Sequence, residues 1–255
     1  MGKKGKAARL KRKPAPRFWP IHRKDLPWIA KPSSGPHSLQ KCLPLVLVLR
    51  DILGFAKTRK EAQTIVSQGK VYVNGVTRSK DDFPVGIMDV ISIPDANKYF
   101  RIMPFKKGLY LNPINKDESS FKLSRVENKF IVKKGDVQYS LHDGSNIFVK
   151  AADSKNQQGE LYETFDTLKL SLPEKQVLNC IQAKEGNFAV ITGGKNIGVQ
   201  GKIVQIEKTE AKKRRNALVI VEDEEGNRYQ TILDFVFSLG QAMPLITSTE
   251  AVSNV

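Results

Sequence analysis

Little in this chain is of the kind that enzymes, membranes or metals require. Only two cysteines occur, Cys42 and Cys180, too few and too far apart for a disulfide framework or a C-x-x-C metal site. The three histidines, His22, His37 and His142, are scattered and read as buried or loop residues. No apolar run approaches the ~20 residues of a membrane helix; the longest, residues 43–49, ends at Arg50. The basic N-terminus lacks the apolar segment of a signal peptide. No metal, cofactor, membrane or small-molecule substrate is therefore expected, and no homo-oligomer. The chain is expected to be soluble and cytoplasmic.

Acid is scarce too. Forty-two Lys and Arg face 26 Asp and Glu, a net charge of +16 over 255 residues. So large an excess points to a polyanionic partner, nucleic acid before an anionic membrane. Hydrophobic content of 40% is ordinary for a globular chain, with room for one to three domains.

The charge is concentrated at the start. Residues 1–31 carry Lys3, Lys4, Lys6, Arg9, Lys11, Arg12, Lys13, Arg17, Arg23, Lys24 and Lys31 against Asp25 alone. Pro14, Pro16, Pro20, Pro27, Pro32 and Pro36 forbid a long helix and favour extended backbone. Phe18, Trp19 and Trp28 lie among the cations. Cations neutralise phosphates, while aromatic faces stack on bases or anchor the arm to its own domain. The expectation is an RNA-contacting arm, Trp19 included, that orders on binding.

After Gly35-Pro36 the texture changes. Pro44 suits the first turn of a helix, Leu45, Val48, Leu49 and Ile52 follow at helical spacing, and Gly54 is a stop. Thr58 with Glu61 forms a capping-box pattern, and Ala62, Ile65 and Val66 give a second helix its apolar stripe. Gly69 ends it, residues 70–73 alternate as a strand, Asn74-Gly75 predicts a type I′ turn, and a strand is expected over 89–93. The run Thr58, Arg59, Ala62, Ile65, Gly69, Val71, Val73, Asn74, Gly75 resembles the small RNA-binding module shared by bacterial ribosomal protein four, some pseudouridine synthases and some tyrosyl-tRNA synthetases. Lys57, Arg59 and Lys60 crowd a helix N-terminus, where like charge opposes the dipole and a phosphate would relieve it. Arg50, Lys70 and Arg78 are further candidates. From about residue 100 to 180, short runs at 99–103, 121–126, 130–132, 137–141 and 168–172 predict a β-rich domain without a catalytic arrangement.

Residues 190–204, VITGGKNIGVQGKIV, look at first like a nucleotide loop. Gly193 and Gly198 have P-loop spacing, but Val199-Gln200 follow where Lys-Ser/Thr is needed. Lys202-Ile-Val-Gln-Ile-Glu then alternates as a strand, not a helix. Strand, loop, strand resembles the KOW piece of SH3-like barrels, on Gly194, Lys195, Gly198, Gly201, Lys202 and Ile206, with strands at 218–221 and 229–232 expected to help complete the barrel. Lys195, Asn196 and Lys202, with Lys212, Lys213, Arg214 and Arg215 in a later loop, are the RNA-contact candidates here.

Taken together, LKRKPAPRFWPI, KPSSGPHSLQKCLPLVLVLRD, FPVGIMDVISI, LHDG and VITGGKNIGVQGKI resemble the archaeal/eukaryotic family of small-subunit ribosomal protein four, over about residues 8–245. The resemblance implies an α+β multidomain chain: a basic Pro-rich extension (1–37), a small RNA-binding module of two helices plus short strands (38–104), a central β-rich domain (105–180), a KOW/SH3-like barrel (181–243) and a C-terminal tail (244–255). It implies a non-catalytic constituent of the small subunit whose partners are ribosomal RNA and neighbouring ribosomal proteins. A KOW-type transcription or translation factor would leave the arm and module unexplained. A role in an RNA-modifying system explains the module, but no catalytic aspartate motif accompanies it.

Overall fold

The computed structural model describes residues 9–22, 24–132, 135–150, 162–207, 214–241 and 243–247. Within the arm, β1 (Leu10–Lys11) pairs antiparallel with β2 (Trp28–Ile29), Leu10 opposite Ile29 and Lys11 opposite Trp28. Alternation sends Leu10 inward, where it joins Ala15, Trp19 and Ala30 in the same core as the helices that follow. The arm, expected to order only on binding, packs on its own module because these four apolar side chains are buried there.

β3 (Cys42–Pro44) pairs with β6 (Pro84–Gly86), Pro44 opposite Pro84. Pro44 thus closes a strand and caps the helix from outside; it is not in the first helical turn. The helix comprises α1 (Leu45–Leu47) and a wider π-type turn over Val48–Ile52, where Leu53 N–H reaches Val48 C=O, five residues back. α2 (Arg59–Ser67) begins at the capping box read from the sequence: the Thr58 hydroxyl accepts from Glu61 N–H, and the Glu61 carboxylate accepts from Thr58 N–H. β4 (Tyr72–Val73) and β5 (Val76–Thr77) are joined by Asn74 and Gly75, with φ of 55° and 75°, the positive pair a type I′ turn needs. β7 (Val90–Ile93), β8 (Lys98–Phe105) and β9 (Gly108–Pro113) complete a five-stranded sheet, order β5-β4-β7-β8-β9.

The central sheet is β10 (Phe121–Ile131), β11 (Val137–Leu141), β12 (Asn146–Val149), β13 (Thr167–Ser171) and β14 (Val177–Ile181), in the order β12-β11-β10-β13-β14. The two strands expected over 121–126 and 130–132 are one. A register shift between Val126 and Asn128 takes up the polar residues that looked like a break, as a β-bulge does. The last sheet, order β18-β17-β16-β15-β19, contains β15 (Phe188–Ile191), β16 (Gln200–Glu207), β17 (Leu218–Glu222), β18 (Arg228–Ile232) and β19 (Val236–Gly240). All its pairings are antiparallel.

These sheets are not beads on a string. One buried cluster joins Met88 and Met103 with Phe121 and Leu123 of β10, Val190 of β15 and Leu239 of β19. Ile246 enters the same cluster at 2% exposure. Residues 244–247, the described part of the expected C-terminal tail, are therefore held back onto the body, and Thr247 hydrogen-bonds Glu118 and Asn112.

Candidate nucleic-acid interface

The β1–β2 ribbon has an outer face as well as an inner one. Trp28 is 47% exposed, and the Arg9 guanidinium and Lys11 ammonium lie 5.9 and 5.8 Å from its ring centroid, within cation–π range. Trp19 is the opposite case: it is 3% exposed, and its indole N–H donates to Cys42 C=O at 2.8 Å. The tryptophan expected to reach RNA is the anchor, and the exposed one is Trp28, which sequence reasoning did not single out. The two tryptophans look alike in the sequence; only the fold separates them, Trp19 in a bend against the core and Trp28 on the outer face of β2. Arg12 is likewise turned inward, donating to the carbonyls of His22 and Trp28. Lys13, Arg17 and Lys24 are exposed. Lys3, Lys4, Lys6, Arg23, Lys212 and Lys213 lie outside the described residues.

At α2 the cap is already filled. Glu61 accepts from Lys57 N–H at 2.8 Å and from Thr58, and these hydrogen bonds hold its carboxyl below the usual range. Thr58 is thus a capping residue, and the Glu61 N–H that it serves is not open to a phosphate. Arg59 donates to Asp81 at 2.7 Å. Lys57 and Lys60 are exposed; Lys57 lies beside the Glu61 carboxylate, and Lys60 has no carboxylate partner among the described residues. Arg50 is clamped on Asp51, Lys70 lies 3.8 Å from Asp95, and Arg78 covers the Phe83 ring at 4.2 Å.

The glycine loop between β15 and β16 lies against the protein itself. A Cβ on Gly198, where φ is +89°, would meet Phe105 Cα at 2.9 Å. On Gly201 it would run into Glu222 C=O. The backbones that come close are the β8–β9 turn and β17. Lys195 and Lys202 are exposed at this end, and Asn196 is half-buried. Arg214 pairs with Glu163 at 2.6 Å, and Arg215 lies between Asp234 at 3.4 Å and Glu127 at 3.9 Å.

The largest polar feature was not legible in the sequence. Asp89, fully buried, accepts from His37, Asn74, Lys122 and Gly86 N–H, and Lys122 also donates to Asp143 at 2.8 Å. Burial opposes the charged forms, but Lys122 and His37 hold the Asp89 carboxyl well below its ordinary range, and Asp89 and Asp143 raise Lys122. Burial and the Lys122 charge push the neighbouring His142 imidazole down to about 3, and its ring nitrogens lie 3.2 Å from Arg125 N–H and Ile87 C=O. Arg125 in turn donates to the carbonyls of Asp234 and Val236. This closed network bolts the arm, the module, the central sheet and the last sheet together. It offers no open nucleophile, and among the described residues no cluster suited to a metal occurs.

The described residues thus combine a closed, buried polar network with exposed cations and an exposed tryptophan, features that suit a polyanionic partner. Comparison with known proteins makes that particular. The RS4NT (NUC023) domain matches residues 4–40, the S4 domain 43–91 and the ribosomal family S4e 96–177. The small ribosomal subunit proteins eS4 of Staphylothermus marinus and Desulfurococcus amylolyticus are each 45% identical over 98% of this chain and 99% of their own. The crystal structure of the 30S ribosomal protein S4e from Thermoplasma acidophilum superposes with a TM-score of 0.64 at 30% identity, covering 79% of this chain and 96% of that one. The chain belongs to the small ribosomal subunit protein eS4 family.

Proposed function

We propose that the chain is a structural component of the small ribosomal subunit in the cytoplasm, binding ribosomal RNA and neighbouring ribosomal proteins to support assembly and translation. The observation that carries this reading is the fusion of arm and module in one core, with Arg17, Lys24 and Lys60 exposed and free of carboxylate partners among the described residues, and Lys57 exposed beside the Glu61 carboxylate. Such cations release counterions when they meet phosphates. Arg9, Lys11, Lys13, Lys195, Asn196 and Lys202 are assigned as further contacts. Arg50, Arg59, Lys70, Arg78, Arg214 and Arg215 serve the fold first and reach RNA only with what their partners leave. We read the last sheet as the SH3-like barrel of KOW type; its antiparallel order and the β15–loop–β16 unit support that reading. The test is co-sedimentation with small ribosomal subunits at low salt and release at high salt. Retention unchanged by salt, or no co-sedimentation at all, contradicts the proposal.

A further inference from the structure

The outer part of the central sheet carries aromatic rings that nothing in the described chain covers. Phe130 on β10 and Phe148 on β12 are 52% and 64% exposed. Phe130 is paired with Gln138, and Gln138 with Phe148. Directly opposed residues share a face, so the three side chains form one row across three strands. The next row on that face is Asn128, Ser140 and Asn146. Val137 and Tyr139, which alternate with this face, are buried in the core on the other side. With strands roughly 4.8 Å apart, the two rings stand about 10 Å from each other.

The occupant follows from the chemistry of the rows. Two rings separated by an amide, beside a row of two amides and a hydroxyl, do not make the continuous apolar core of a protein interface. They do supply π-faces for stacking and donors and acceptors for base edges. Charge agrees: Lys150, two residues beyond Phe148 and so on the same side by alternation, is exposed, the nearby Asp143 is buried on Lys122, and Lys129 faces the Tyr139 ring on the other side. Aromatic faces, amides and cations together are what an unpaired RNA strand requires.

We infer that the Phe130–Gln138–Phe148 face of the central sheet is a stacking platform for two unpaired bases of an RNA strand. It rests on the RNA-binding reading and adds to it a site for single-stranded RNA on the sheet. The full-length protein is titrated with a fluorescein-labelled, mixed-sequence 12-nucleotide RNA and with the corresponding duplex. Phe130→Ala/Phe148→Ala is expected to weaken single-strand binding about tenfold or more with duplex binding unchanged. The slope of affinity against salt should also stay the same, because no charge is removed. Phe130→Leu/Phe148→Leu, which retains apolar bulk, is expected to share the loss, whereas Phe130→Tyr/Phe148→Tyr restores binding. Both rings are exposed, so an unchanged unfolding midpoint is the control for folding. Wild-type affinity in the Ala variant, or full rescue by Leu, overturns the platform while Lys57→Glu/Lys60→Glu still weakens both probes. Failure of the wild-type protein to bind either RNA overturns the platform and the RNA-binding reading together.

Discussion

The start of α2 and the turn before β17 hold the same kinds of residue and use them differently. At α2, Lys57 and Lys60 project from a helix end where Thr58 and Glu61 already satisfy the N–H groups of Lys57, Thr58 and Glu61. Before β17, Arg214 and Arg215 are each drawn onto carboxylates of other elements, Glu163 on one side and Glu127 and Asp234 on the other. The lesson is that a count of cations measures attraction to a polyanion only after the protein's own acids are subtracted. The arm repeats it within a few residues: Arg12 is spent on carbonyls while Arg17 faces solvent.

The contrast can be broken in several ways. The largest expected effect is on the frame beneath both regions. Lys122→Ala leaves Asp89 and Asp143 buried without their cation and should cost about 3–5 kcal/mol. Trp19→Ala should cost a similar amount, about 3–5 kcal/mol for a buried aromatic, while Trp28→Ala leaves the midpoint of urea unfolding in place and weakens RNA binding. If the two tryptophan variants behaved alike, the inner and outer faces of the arm would be wrongly drawn. Next comes Gly198→Ala, expected to destabilise by about 1–3 kcal/mol through its positive φ and the Phe105 contact. A loss of RNA affinity without a loss of stability would instead place RNA against that loop.

Acidification gives a graded effect. His142 is depressed to about 3 when folded and titrates near 6.5 unfolded, so between those values the unfolded chain binds the extra proton. Stability should therefore fall as pH drops from about 6.5, by at most about 1.4 kcal/mol per unit from this group. The fall should steepen below about pH 4, where the unfolded counterpart of depressed Asp89 takes up its proton. His142→Asn should flatten the upper part of the curve, measured as unfolding free energy against pH. The smallest effect belongs to the paired arginines: Arg214→Gln/Arg215→Gln should change stability by less than about 1 kcal/mol and RNA affinity less than Lys57→Glu/Lys60→Glu does.

Much of the module was legible because its signals are local. The capping box at Thr58 and Glu61 and the Asn74-Gly75 turn each depend on residues within four positions, and both are present as read. The P-loop was excluded for an equally local reason, since a strand follows Gly198. Less legible was Pro44, whose place was decided by Pro84 across a strand pair. The polar residues 127–129 resembled a break because hydrogen bonding to β11 leaves no trace in composition.

The sequence by itself determined the partner class and the local elements: unbalanced charge survives any folding, and helix caps, turns and alternation act over a few residues. Which cations remain free, which tryptophan is buried and which acids lock the sheets together were decided only by the tertiary structure. Asp89 meets Lys122 from 33 positions away and His37 from 52. Desolvation, which makes such a buried charge tolerable only when fully paired, depends on how distant strands are brought together.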